Sequence, residues 1–182
     1  IPASVTSIGN EAFYDCIGLT SITIPASVTS IGDSAFFRCT GLTEINYNAT
    51  AAGDFTSASY VFFSAGTYRT GITVNVGANV TKLPAYMFFV NDSSYRPKIT
   101  SVHFAAGSAL TSIGNSAFSY CSGITSITVP ASVTRIGFSA FNNCSGLAVI
   151  NYRGSEAEWN NIPKGSNWNS NCPAVIVYDY ED

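Results

Sequence analysis

The stretch SVTSIGNEAFYDC at residues 4–16 returns as SVTSIGDSAFFRC at residues 27–39, 23 residues further on. A fixed period of this length constrains the fold more than any other property of the chain. One small supersecondary unit is built repeatedly, and each copy can bury its apolar face only against its neighbours. Phe13 and Phe36 are 23 residues apart, as are Phe118 and Phe141, and each has a cysteine three residues on: Cys16, Cys39, Cys121 and Cys144. The unit reads V/L-T-x-I-G-x-x-A-F-x-x-C-x-G-L/I-x-x-I-x-I/V/Y. Two degenerate copies lie between the good pairs. NVTKLPAYMFFVN (79–91) keeps Val80, Leu83 and Phe88 but has Asn91 in the cysteine slot, and DFTSASYVFFSAG (54–66) keeps less. The count is six rungs.

Within a unit the apolar spacing changes, and the change separates strand from turn. Leu19-x-x-Ile22-x-Ile24 recurs as Leu42, Ile45, Tyr47; Ile99, Val102, Phe104; Ile124, Ile127, Val129; and Leu147, Ile150, Tyr152. The closing alternation is that of a strand with one buried face. In NEAFYDC and DSAFFRC, Ala, Phe and Cys sit at neighbouring and i+3 positions behind Asn10 or Asp33, which predicts a short capped helical turn. Gly9, Gly32, Gly114 and Gly137 precede the caps, where a backbone reversal favours a residue without Cβ strain. Stacking such units yields an α/β repeat solenoid with its strands aligned into a parallel sheet on one face.

The run IPASVTSIGDSAFFRCTGLTEI resembles the BspA-like leucine-rich repeat of bacterial surface proteins. The resemblance is close at 1–46 and 109–152 and loose at 47–108. It implies a leucine-rich-repeat-like right-handed array at 1–152 with an irregular middle at 47–108. The segment YRGSEAEWNNI followed by AVIVYDY resembles the piece that closes such arrays, so 153–182 is expected to be a C-terminal capping segment, with Trp159, Trp168, Ile162, Val175 and Val177 covering the last rung. The family further implies a non-catalytic, secreted or cell-surface adhesion module that binds a host or matrix protein. A carbohydrate-binding module and a ligand-free structural spacer are the alternatives.

Composition narrows the partners. Charged residues make up 10% of the chain, with 8 Lys and Arg against 11 Asp and Glu and a net charge of −3. There is no basic stripe to neutralise phosphates, which argues against nucleic acid. No apolar run approaches the ~20 residues that cross a bilayer, so membrane insertion of this segment is not expected. No signal peptide pattern opens the chain. Ile1 aligns with Ile24 and Val129, near the end of the unit, so the chain is expected to be part of a longer protein. No phosphate loop or metal-binding pattern is present, and no cofactor is expected. Stacked cysteines one rung apart are close enough to pair, but their slot faces the core with the phenylalanines, which favours buried free thiols. Cys172 has no assigned partner.

Alternation places one row of side chains outward on the sheet: Ser21, Thr23; Glu44, Asn46; Thr73, Asn75; Ser101, His103; Ser126, Thr128; Val149, Asn151. This polar, nearly uncharged face is the candidate binding face. His103 is the only histidine, and a catalytic role would need a nucleophile and a carboxylate converging on it; Glu44 maps about three rungs away. In the irregular middle the phenylalanine spacing lengthens, and Tyr60, Tyr68, Arg69, Tyr95 and Arg96 are candidate loop contacts, of the residue types that anchor interfaces.

Overall fold

A computed structural model describes residues 1–181. Asp182, the last residue of the expected closing segment, lies outside the described residues. The repeat folds into a β-solenoid of seven parallel turns. Its main face carries β2 (Ser21–Ile24), β4 (Glu44–Tyr47), β5 (Ile72–Val76) and β7 (Ile99–Phe104) in one sheet, and β9 (Ser126–Val129), β11 (Val149–Tyr152) and β12 (Val175–Val177) in a second. The pairings between these strands are parallel and follow the repeat, Ile22 beside Ile45 and Ile127 beside Ile150, with a shift of register between Ile72 and Thr73 where β5 meets β7. A second edge carries two-residue strands, β1 (Ser7–Ile8) with β3 (Ser30–Ile31), and β6 (Lys82–Leu83), β8 (Ser112–Ile113) and β10 (Arg135–Ile136) together.

The third side of each rung departs from expectation. The Ala-Phe segment is not helical; the α-helix α1 (Glu156–Asn161) lies elsewhere, and a 3-10 turn spans Ser93–Tyr95. Instead, two residues four apart adopt left-handed φ in most rungs: Glu11 and Asp15 at +56° and +55°, Ser34 and Arg38, Ser116 and Tyr120, Ser139 and Asn143. Alternating amides then point along the solenoid axis rather than back along a helix. Glu11, Phe13 and Asp15 donate to the carbonyls of Asp33, Ala35 and Phe37 at 3.0, 2.8 and 2.8 Å. Buried amides need partners, and a neighbour at strand spacing supplies them better than a lone helical turn. The expected caps take part in this ladder: Asn10 Oδ1 accepts from the Asp33 amide at 3.0 Å, and Asn115 Oδ1 from the Phe138 amide at 2.9 Å. At Gly32, Gly114 and Gly137 the glycine before the cap is required by close approach to the preceding rung rather than by chain reversal, whereas Gly9, in the first rung, meets nothing. A Cβ on Gly114 would lie 2.5 Å from the Ala85 amide nitrogen and 2.6 Å from the Leu83 carbonyl oxygen.

Serine and threonine hydroxyls also tie rungs together. Ser27, Thr43, Thr111, Ser132 and Thr134 each donate a hydroxyl to a carbonyl of the preceding rung.

Through the middle runs a column of rings, Phe13, Phe36, Phe62, Phe88, Phe118, Phe141 and Trp168, with successive centroids 5.1–6.4 Å apart. Cys39, Cys121 and Cys144 are buried free thiols beside it, and Cys39 and Cys144 donate to the carbonyls of Phe13 and Phe118 at 3.1 and 3.0 Å. Burial pushes both thiols up to about 12. Cys16, in the first rung, is exposed. Because the thiolate is the reactive form, native protein at pH 8 should show one fast thiol toward a chromogenic disulfide reagent. Cys16→Ser should abolish that phase, and rapid modification of Cys39 or Cys144 would contradict the packing.

Residues 153–181 add the seventh turn. Asn143 donates to the Ser170 carbonyl and β12 pairs with β11, which places Cys172 in the slot of Cys144. Ser155 and Glu158 form a reciprocal cap at the start of α1. The helix buries Trp159 against Tyr152 and Trp168, at 5.0 and 5.8 Å between centroids. Trp159 and Ile162 are buried as expected, whereas Val175 and Val177 are exposed on β12 and do not cover the last rung.

Candidate binding face

The outward row falls where alternation puts it. Ser21, Thr23, His103 and Ser126 are exposed; Glu44, Asn46, Thr73, Asn75, Ser101, Thr128, Val149 and Asn151 are half-buried by their neighbours. The pairing aligns them into two lines across the first sheet, Ser21, Glu44, Thr73, Ser101 and Thr23, Asn46, Asn75, His103. Asn75 organises this face. Its Nδ2 donates to Glu44 Oε1 and to Asn46 Oδ1, both at 2.9 Å, and its own Oδ1 is the remaining acceptor. Ser101 Oγ is bonded to His103 Nε2 at 2.9 Å.

At the C-terminal ends of the strands this line borders a groove of about 420 Å³, with Thr23, Asn46, Asn48, Asn75, His103 and the half-buried Phe104 in its walls. Gly77 makes room there: a Cβ on it would lie 2.2 Å from Asn48 Oδ1. A smaller cavity of about 130 Å³ lies on the other side of His103, lined by Ser108, Thr128, Pro130 and Arg153. It sits where the sheet is interrupted, since β7 and β9 are neighbours that belong to different hydrogen-bonded sheets. Part of the cause is Pro130. The equivalent Ala105 and Arg153 amides donate to Val76 and Val129, but proline has no N–H for Phe104.

For catalysis the arrangement is poor. Glu44 lies two strands from His103, nearer than the sequence map gave, but its carboxylate receives Asn75, and neither cavity beside His103 has a carboxylate among its described lining residues. Among the described residues no group of three His, Cys, Asp or Glu is placed to hold a metal, and no helix is long and apolar enough to cross a membrane.

The loop candidates are brought partly together. Tyr60 meets Phe63 edge-on, and Phe63 stacks on Tyr95 at 4.7 Å, the end of a surface row that runs Tyr14, Phe37, Phe63, Tyr95. Arg96 ties the loop to its neighbours: Nε and Nη2 donate to the carbonyls of Val90 and Asn91, and the guanidinium lies 4.0 Å above the Tyr120 ring. Tyr68 and Arg69 are exposed, and the Arg69 carbonyl accepts from Lys98 Nζ at 3.0 Å.

Parallel strands on one face, two-residue strands on a second and a ring column between them define a leucine-rich-repeat solenoid, a class of repeat module that in general is non-catalytic and serves protein interaction or structure. The chain belongs to the BspA type leucine rich repeat family, whose region matches in six copies over residues 1–95 and 90–171. Among solved structures, a leucine-rich repeat protein from Bacteroides ovatus is 20% identical, with a TM-score of 0.56 over 98% of this chain and 46% of that one. The T. pallidum leucine rich repeat protein TpLRR is 21% identical, with a TM-score of 0.47 over 98% of this chain and 70% of that one. A leucine rich cell surface protein from Faecalibacterium prausnitzii is 26% identical, with a TM-score of 0.38 over 89% of this chain and 55% of that one. No curated protein matches the chain.

Proposed function

We propose that this chain is a protein-binding adhesion module of a larger secreted or cell-surface protein, and that it holds a host or matrix protein on its polar sheet face. The observation that carries the reading is the line Thr23, Asn46, Asn75, His103, which brings amide, hydroxyl and imidazole groups into one row beside a groove that Phe104 helps to line. The family supports it, since leucine-rich repeat proteins generally bind proteins. The row is nearly neutral, so its partner is selected by hydrogen-bond pattern and shape rather than by charge. The segment 153–181 would end the array beside that face.

The test is binding of the purified chain to an immobilised array of host matrix proteins. Asn75→Ala and His103→Ala are each expected to weaken the captured partner about tenfold or more, the size of an interface anchor; His103→Ala should leave the melting temperature nearly unchanged, whereas Asn75→Ala also removes two inter-strand hydrogen bonds and should lower it. A partner held equally by wild type and both variants would move the site off this face. Silence across the array would overturn the adhesion reading in favour of a spacer.

A further inference from the structure

Three aromatic residues stand where the repeat has small or polar ones, and they meet on the opposite side of the solenoid from the polar sheet. Phe138 occupies the slot of Asn10, Asp33 and Asn115; Tyr86 that of Glu11, Ser34, Ser116 and Ser139; Tyr120 that of Asp15, Arg38 and Asn143. Folding does not ask for them. Asn10 and Asn115 use their side-chain oxygens to accept an amide of the next rung, a bond that Phe138 cannot make, and the Phe138 ring is 46% exposed. Tyr86 and Tyr120 have φ of +57° and +66°, a conformation more costly for an aromatic residue than for the Asn, Asp or Ser of neighbouring rungs.

All three line one groove of about 540 Å³, together with Phe89. The hollow exists because the surface aromatic slot of Tyr14, Phe37, Phe63 and Phe89 is filled in the next two rungs by Ser119 and Asn142. Ring geometry differs from the rest of the surface. Along Tyr14, Phe37, Phe63 and Tyr95 the rings lie face to face at 4.3–4.9 Å, so their faces cover one another. In the groove Tyr86 meets Phe89 at 79° and Phe89 meets Tyr120 at 54°, so these rings do not cover one another, although one face of Tyr120 carries the Arg96 guanidinium at 4.0 Å. The rest of the lining is serine and asparagine, and none of the described lining residues is charged.

We propose that this groove binds a neutral oligosaccharide. A pyranose ring has apolar C–H faces and a rim of hydroxyls; the first suits open aromatic faces, and the second suits neutral hydroxyl and amide groups that donate and accept. The volume lies within the range of small-molecule sites, and a lining without a charged side chain suits a neutral ligand. The site is separate from the polar sheet face, and its failure would leave that reading intact.

The experiment is calorimetric titration of the purified chain with maltotriose, cellotriose, mannotriose and N-acetylchitotriose. At least one should bind. Phe138→Asn restores the repeat's own residue and an acceptor for the next rung, so it should weaken that sugar at least tenfold without lowering the melting temperature; Tyr86→Ser should act in the same direction. Asn75→Ala and His103→Ala should leave the sugar affinity unchanged. No binding of any of the four, or binding insensitive to Phe138→Asn and Tyr86→Ser, overturns the proposal.

Discussion

Replacing Phe36 by alanine should cost about 3–5 kcal/mol of stability, the range for truncating a buried phenylalanine. Phe36 is fully buried, and its ring lies 5.2 Å from Phe13 and 5.1 Å from Phe62. Removing it empties a slot in a column whose neighbours are held at rung spacing by backbone ladders on three sides, so the cavity cannot collapse. Ser126→Ala, at an exposed position on the sheet, should change stability by no more than about 0.5 kcal/mol. Chemical denaturation of the two variants against wild type checks both. Equal losses would mean that the inward and outward faces of the rung are reversed.

A second large loss should come from a single methyl group. Gly114→Ala should destabilise the fold by about 3 kcal/mol, the upper part of the usual cost of overpacking. The added Cβ would lie 2.5 Å from the Ala85 nitrogen, 2.6 Å from the Leu83 oxygen and 2.7 Å from the Pro84 carbonyl carbon. All three are backbone atoms of the neighbouring rung, so relief requires the rungs to part. Gly9 occupies the same slot in the first rung and has nothing within 4 Å of its Cβ position. Gly9→Ala should therefore be nearly silent, and thermal melting of this matched pair separates the demand of stacking from any intrinsic preference for glycine. If both variants melt alike, rung contact is not what the glycine serves.

The two pairs also show how far the sequence could be read. Alternation at Ile22 and Ile24 needs only the pleat, so the inward and outward faces of the strands were legible, and the candidate row came out on one face as expected. The Phe-x-x-Cys turn was misread for a physical reason. Neighbouring and i+3 apolar positions fit a helical turn, but they equally fit a segment whose amides donate to the next rung, and no local pattern says which partner a buried amide will find. The left-handed backbone at Glu11 and Asp15 follows from that choice of partner. Cys172 was unassigned because the last turn keeps its ladder but loses the Ala-Phe wording: Trp168 enters at the alanine slot, and only the bonds from Phe141 and Asn143 reveal the register.

By itself the sequence determined the period, the core residues and the face each strand shows to solvent, because these depend on spacing within one unit. The tertiary structure decided what depends on the distance between units. It converted predicted helical turns into a ladder, made glycine a matter of rung contact, joined Asn75 to Glu44 and Asn46 across 31 and 29 residues, and brought Tyr86, Tyr120 and Phe138 to one groove. Those groups lie far apart along the chain but within a few rungs along the axis, and only stacking sets which side chains meet.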